Sequence, residues 1–413
     1  MLNSLTDNQT QMDRKTALVL PGTLWQLPLV KRLKEAGHHV LIVDPSSCPP
    51  CAKIADGHLQ SDIFDIEKIV HYGQKMGVNA VLSDECDIAM NIVAELGRVF
   101  NVPTLDKESA SLYTDKFLMR EFCKKNGLKY PEYRLCKTAQ DAIEFQSYLN
   151  APIIIKPLDS NASHGVFKCN TQADILSHFD ESMSFSRIEK SVLAERYITG
   201  TEFTIDGVKT PSGHYTMCIS EKKHFKHNEN IANELLFTYD NPNFEYDRLR
   251  AINDAFVLKS NLKFGLTHAE YKYENGEFYL IEIAARGGGN MISSCIAQFM
   301  SGYDTYKYLI DYATGVNSDV KLPTIKQYAN RCAALKFFLT PNGGGQVKSI
   351  EGLDYLEKET DIKHFRLNFK IGDHIKNAAS DSARIGFYIV CSENINRLHE
   401  VIDNVEKKFK IIY

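Results

Sequence analysis

Apolar positions in the first hundred residues follow two alternating periods. Thr16 to Leu20 is a short apolar run closed by the turn Pro21-Gly22-Thr23. Leu24 to Ala36 then repeats apolar residues at helical spacing until Gly37. His39 to Val43 reads as a second strand with Asp44 at its tip, and Ile66 to Met76 as a helix stopped by Gly77. Ala80 to Ser83 reads as a third strand and Ala89 to Phe100 as another helix. Strand, helix, strand, helix, strand predicts a parallel α/β sheet unit. The pattern then changes. Ser109 to Gly127 reads as one helix, Pro152 to Pro157 as a strand, and Leu158 to Gly165 as a loop of small residues. Val192 to Glu195 and Glu202 to Gly207 predict strands, and Leu249 to Asn261 a helix. His268 to Tyr273 and Glu277 to Ala284 form a predicted hairpin, because Asn275-Gly276 is a strong turn signal. Ile292 to Tyr312 reads as one helix and Asn317 to Thr324 as a linker. Cys332 to Tyr413 alternates short strands, with turns at Gly343-Gly-Gly345 and Gly372-Asp373, and ends in a helix near Arg397 to Phe409.

Composition narrows the class. The 413 residues suit two to four domains, and 44% hydrophobic with 24% charged residues is ordinary for a globular protein. A net charge of −4 gives no basic stripe for nucleic acid. Met1 to Lys15 is polar and lacks the apolar core of a signal peptide, and no run is long enough to span a membrane, so the expected location is the cytoplasm. Among ten cysteines only Cys48-Pro-Pro-Cys51 has redox spacing, and its prolines read as a loop. The first strand turn carries one glycine, Gly22, where a dinucleotide fingerprint needs three. Asp44 would suit a ribose, but an acid there is common in any such sheet, so a substrate pocket at the strand ends is expected instead.

Four segments carry candidate chemistry. Alternation puts His268 and Glu270 on one strand face, and the turn brings Glu282 of the partner strand near Glu270. Two converging carboxylates repel unless a cation sits between them, and Mg²⁺ shared with nucleotide phosphates answers that need. Arg286 follows, before Gly287-Gly-Gly289-Asn290, where it can stabilise charge on a transferring group. Lys156, in Ile153-Ile-Ile-Lys156-Pro157, ends a buried strand and calls for an anion, and the loop Asp159-Ser160-Asn-Ala-Ser163-His164-Gly165 can wrap phosphates with backbone N–H groups. Thr114-Asp-Lys116 opens a helical turn. Glu195-Arg-Tyr197-Ile198, Gly200 and Glu202 form an acid–hinge–acid run. Each alone also reads as an ordinary hairpin, strand end or solvated charge; their order along the chain raises the functional reading.

That order resembles the ATP-grasp superfamily over nearly the whole chain, closest to its L-amino-acid ligase and carbamoyl-phosphate-synthase-like branch. The resemblance implies an α/β (α+β) ATP-grasp fold. It divides the chain into a pre-grasp α/β domain over 1–110, a grasp domain over 111–315 with a lid at about 150–200, and a C-terminal domain over 325–413 packed on the grasp. It implies ATP and Mg²⁺, with Mn²⁺ able to substitute. Lys116 and Lys156 would contact phosphates, and Ser160, Ser163, His164 and Gly165 would close over them. Glu195, Tyr197 and Ile198 would frame adenine, and Glu202 would bind ribose. Glu270 and Glu282 would hold the metal, and Arg286, with Lys156, would serve catalysis. His268, Gly288 and Asn290 are candidates for substrate contact, and His224 to His227 for shaping an acceptor site. Many relatives carry asparagine where this chain has Ala284.

The implied activity is ADP-forming ligation of a carboxylate and an amine through an acyl-phosphate, with an amino acid as one substrate. Alternatives are a glycinamide-type or natural-product or cell-surface-sugar ligase of the same chemistry, and, in a different class, a non-catalytic nucleotide-binding module. A carboxylase is disfavoured because no biotin-attachment segment is present. Partners would be small molecules, with neither nucleic acid nor membrane, and dimerisation is common in the family. Glu282→Ala or Arg286→Ala is expected nearly to abolish turnover with the fold intact.

Overall fold

The computed structural model describes residues 14–160, 163–187, 189–316 and 325–413, the side chain of Asn230 excepted. The expected linker Asn317 to Thr324 and the loop residues Asn161 and Ala162 lie outside them.

The N-terminal unit is a four-stranded parallel sheet in the order Gly57–Gln60, His39–Asp44, Thr16–Val19, Ala80–Leu82. Its helices form where expected. Asp65 caps Ile66–Met76 by accepting the Lys68 N–H, and Gly77 ends it at φ 71°. The edge strand Gly57–Gln60 escaped the sequence reading, since Gly-His-Leu-Gln has no apolar alternation. Asp44 is structural: its carboxylate accepts the N–H groups of Gly22 (3.0 Å) and Ser46 (2.9 Å). Cys51 is buried, its thiol pushed up to about 12 by burial and the neighbouring Asp44 charge, the reverse of a redox-active thiol.

Two expected helices are broken by local chemistry. Ser109 to Gly127 becomes Lys107–Leu112 and Lys116–Asn126, because the Asp115 side chain accepts the N–H groups of Phe117 and Leu118 and starts a new helix. Ile292 to Tyr312 becomes the π turn Ile292–Ile296, Ala297–Ser301 and Thr305–Ala313, interrupted at Gly302 (φ 68°) and recapped by Asp304.

An antiparallel four-stranded sheet orders Tyr133–Cys136, Val192–Arg196, Ile153–Pro157 and Phe167–Cys169. Helices Ala139–Leu149 and Gln172–Ser184 cover it, and it has its own core of Ile153, Ile155, Phe145, Phe179 and Val192. This unit reaches further toward the N-terminus than the expected lid at 150–200, because Tyr133–Cys136 supplies the pairing partner of Val192–Arg196.

The largest sheet has eight strands in the order Glu277–Ala284, Gly265–Glu274, Thr201–Thr210, Gly213–Phe225, Asn228–Thr238, Cys332–Phe337, Gly386–Ser392, Ile362–Leu367. The long hairpin Gly213–Phe225/Asn228–Thr238 was not legible in its polar sequence. The C-terminal strands continue this sheet directly, with Leu235 opposite Leu335 and Ala333 opposite Cys391. Gly344–Gln346 is a strand paired with His374–Lys376, correcting the expected turn there. No helix among the described residues is long and apolar enough to cross a membrane.

Candidate active site

Alternation along Gly265–Glu274 and Thr201–Thr210 sorts the side chains of the large sheet. Ala269, Tyr271, Phe203 and Ile205 are buried in one core, while His268, Glu270, Lys272, Glu202 and Asp206 occupy the other face. Lys222, opposite Glu202, joins them.

Asn275 (φ 50°) and Gly276 (φ 83°) make the tight turn, and it sets Glu270 directly across from Glu282. Each carboxylate holds a different lysine: Glu282 lies 2.9 Å from Lys116 Nζ, and Glu270 lies 3.0 Å from Lys222 Nζ. Lys116 also donates to the Ser160 carbonyl at 2.8 Å, so the helix start meets the loop that follows Lys156. Burial works against the charged form of Glu270, but Lys222 overrides it and keeps the carboxyl below its ordinary range. Glu202 binds Lys222 as well, and its second oxygen lies 3.2 Å from His224 and 3.9 Å from Lys272.

Lys156, buried at its strand end, lies 2.7 Å from Glu195 Oε2. The other Glu195 oxygen takes Arg120 Nε at 2.7 Å. Arg120 is 0% exposed and also reaches the Ile281 carbonyl, a link the sequence reading missed because nothing in a helical arginine signals burial. Two cations thus share one carboxylate. Burial pushes the Lys156 ammonium down to about 8; Glu195 pulls it up, and Arg120 and Lys116 oppose that pull. Both oxygens of the Glu195 carboxylate are therefore committed to cations. Ile198 is buried, and its backbone N–H and C=O find no partner among the described residues. The Tyr197 ring lies under Lys168 (4.1 Å) and Lys272 (4.9 Å).

Arg286 is held from the N-terminal unit. Its Nε and Nη2 donate to the two oxygens of Asp87 at 2.9 and 2.8 Å, while Nη1 donates to the Gly287 carbonyl. Asp84, fully buried, accepts Gly287 N–H (2.7 Å), Ser293 Oγ (2.6 Å) and Tyr306 OH (2.8 Å). Both acids follow the strand Ala80–Leu82, where open α/β sheets place ligand sites, and that position was the available signal for them. Asp206 was missed too. Its Oδ1 accepts His268 Nδ1 and Gly288 N–H, each at 3.0 Å. A Cβ on Gly288 would stand 2.6 Å from that oxygen, so the bare backbone is required there. Asn290 and Met291 both take positive φ, 56° and 65°, beside the π turn, as constrained functional loops do.

In the loop that follows Lys156, Ser160 Oγ donates to the His164 carbonyl at 2.9 Å, and Gly165 turns the chain at φ 74°. Ser163 Oγ donates to Asp381 Oδ2 at 2.9 Å, and His164 lies 3.4 Å from Ser382 Oγ. His227 sits apart from His268, at the tip of the long hairpin, 3.1 Å from the Ala378 carbonyl.

The opposed Glu270 and Glu282 fit a hard divalent cation completed by phosphate and water oxygens. Among the described residues no group of three or more His, Cys, Asp or Glu could hold a metal without such help. The buried lysines at Lys116 and Lys156 and the open Ile198 backbone fit a nucleotide lying between the small and large sheets.

Sequence models of two families match the chain: an ATP-grasp domain over residues 149–294 and the L-amino acid ligase C-terminal domain 2 over residues 337–413. Dapdiamide A synthase of Enterobacter agglomerans is 23% identical over 198 residues, 46% of this chain and 47% of that protein. Phosphoribosylamine–glycine ligase of Thermococcus gammatolerans is 27% identical over 182 residues, 42% of this chain and 40% of that protein. The matched region therefore spans about half or less of these relatives' length. The crystal structure of an L-amino acid ligase from Bacillus licheniformis superposes with a TM-score of 0.80 at 17% identity, covering 97% of this chain and 99% of that one, a likeness of fold. The chain thus carries an ATP-grasp domain over residues 149–294 and an L-amino acid ligase C-terminal domain over residues 337–413.

Proposed function

We propose that the protein is an ADP-forming ligase that joins a carboxylic acid to an amine through an acyl-phosphate, with an amino acid as one substrate. One observation carries this reading: Lys116, the opposed pair Glu270 and Glu282, and the Asp87-held Arg286 converge at one end of the large sheet, beside the loop that follows Lys156. That set suits a reaction in which catalysis is positioning and charge compensation.

Lys156 and Lys116 would bind phosphate oxygens, each exchanging a carboxylate partner for a phosphate. Ser160, Ser163, His164 and Gly165 would cover the phosphates and exclude water. The Ile198 backbone, with Tyr197 beside it, would frame adenine, Glu195 would hold Lys156 and Arg120 in place, and Glu202 would bind ribose. Glu270 and Glu282 would hold Mg²⁺, or Mn²⁺ in its place, which when bound offsets charge on the transferring phosphoryl group. Arg286, its fork anchored by Asp87, would steady the acyl-phosphate and the tetrahedral state that follows. His268, oriented by Asp206, would face the acceptor together with Gly288 and Asn290.

The match to the L-amino acid ligase C-terminal domain over 337–413 favours amino-acid substrates over a glycinamide-type acceptor. We assign the pre-grasp unit to 1–110, the grasp to 111–315 and the C-terminal domain to 325–413, and place the enzyme in the cytoplasm acting on small molecules. The test is ADP release with Mg·ATP against pools of amino acids and small carboxylates, with mass spectrometry of active pools. ADP release that requires both an acid and an amine, with a condensed product, supports the ligase. ATP binding with no release in any pool favours a non-catalytic nucleotide-binding module.

A further inference from the structure

The turn Asp381–Ala383 and the residues flanking it touch two separate elements. Asp381 accepts Ser163 Oγ from the phosphate loop, and Ser382 meets His164 of the same loop. Ala378, just before, meets His227 at the hairpin tip. This C-terminal stretch therefore bridges the small sheet's loop and the long hairpin of the large sheet.

Arg384 follows that turn. It is 9% exposed, its guanidinium lies 3.7 Å from the Phe337 ring centroid, and its carboxylate partner is Asp381, through Nη2. Its Nε is buried and donates to nothing among the described residues. Burial holds its pKa below the ordinary arginine value, against the pull of Asp381 and of Glu270, whose charge reaches it. A buried guanidinium with a spare donor, tied through its partner Asp381 to the loop that follows Lys156, is suited to a phosphate. Lys116, Lys156 and Arg286 each have a carboxylate of their own from the grasp or N-terminal unit.

We infer that Arg384 is a further nucleotide-binding residue, contacting the terminal phosphoryl group from the C-terminal domain, with Asp381 holding it when no triphosphate is bound. This rests on the ATP-dependent reading above. Asp381 would then link the two sites, since one of its oxygens holds Arg384 and the other accepts Ser163 Oγ.

The experiment is calorimetric titration of Mg·AMPPNP and Mg·ADP into wild type, Arg384→Gln and Asp381→Asn, with melting temperatures as a folding control. Arg384→Gln is expected to weaken Mg·AMPPNP by about tenfold or more while Mg·ADP stays within about threefold. Equal loss for both nucleotides, or no loss for either, overturns the inference and leaves the ligase reading standing. Wild type that binds neither nucleotide sinks the ATP reading and this inference together. If Arg384→Gln does not fold, Asp381→Asn decides: freed of its partner, Arg384 should tighten Mg·AMPPNP selectively, and unchanged or weaker binding overturns the proposal.

Discussion

Arg286 and Asp87 form a two-pronged ion pair between the glycine run of the grasp and the first turn of helix Asp87–Phe100 in the N-terminal unit. Burial disfavours the Asp87 carboxylate, and the guanidinium outweighs it and keeps the carboxyl below its usual range. The pair is mostly shielded, with side chains 15% and 17% exposed. The proposed catalytic arginine is thus also a tie between units.

Arg286→Ala should lower kcat by about 10²- to 10³-fold, the scale for losing a charge-stabilising donor. It should also destabilise the fold by about 3 kcal/mol, because Asp87 loses its counter-ion. The sequence alone suggested an intact fold, and the pair changes that expectation. Urea unfolding beside steady-state kinetics separates the two effects; Asp87→Asn should lower turnover as well, by loosening the arginine.

Glu195→Gln leaves Arg120 and Lys156 buried around a neutral group and should cost about 3–5 kcal/mol of stability. A loss below about 1 kcal/mol in chemical denaturation would refute the account of that triad.

Acid should unfold the protein through the same groups. Glu195 and Asp87 have native pKa values below their unfolded ones, so between the two values the unfolded chain binds more protons. Their stabilisation is present above the ordinary carboxylate range, near pH 4, and is lost as pH falls through the depressed values. Urea midpoints should hold steady from about pH 7 to 5 and drop below about pH 4.

At the alkaline side, Lys156 titrates near 8 in the free enzyme. Above that pH it loses the charge that attracts phosphate, so kcat/KM for ATP should fall. Lys156→Arg should move this limb out of the accessible range, since a guanidinium stays protonated there. A limb at the same pH in that variant would assign it to another group.

Gly288→Ala should separate Asp206 from His268, since the added methyl would lie 2.6 Å from Asp206 Oδ1 and 2.9 Å from His268 Nδ1. The expected result is a cost of about 1–3 kcal/mol and a raised KM for the acceptor, read by thermal melting and acceptor titration. Gly289→Ala, whose Cβ meets nothing within 4 Å, is the control.

What was legible in the sequence follows from the range of the forces involved. The parallel α/β unit was readable because periodicity and caps such as Gly77 are local. The opposition of Glu270 and Glu282 was readable because Asn275-Gly276 fixes the hairpin register. Asp87, Arg120 and Asp206 were not, since their partners Arg286, Glu195 and His268 lie 199, 75 and 62 residues away. The break at Tyr113 to Asp115 was legible only in part: Thr114-Asp-Lys116 opens a helical turn in the sequence too, but no glycine or proline marks the end of the preceding helix at Leu112.

The ladder between Asn228–Thr238 and Cys332–Phe337 bears on how this protein can be cut or recombined. A truncated chain ending before Cys332 would strip the hydrogen-bonding partner from a strand 11 residues long and bare Leu235 and Phe237, both buried in the whole chain. Such an edge is a template for intermolecular pairing, so the grasp portion expressed alone should self-associate. Swapping C-terminal segments between relatives would succeed only where the incoming strand preserves the register of Leu235 on Leu335.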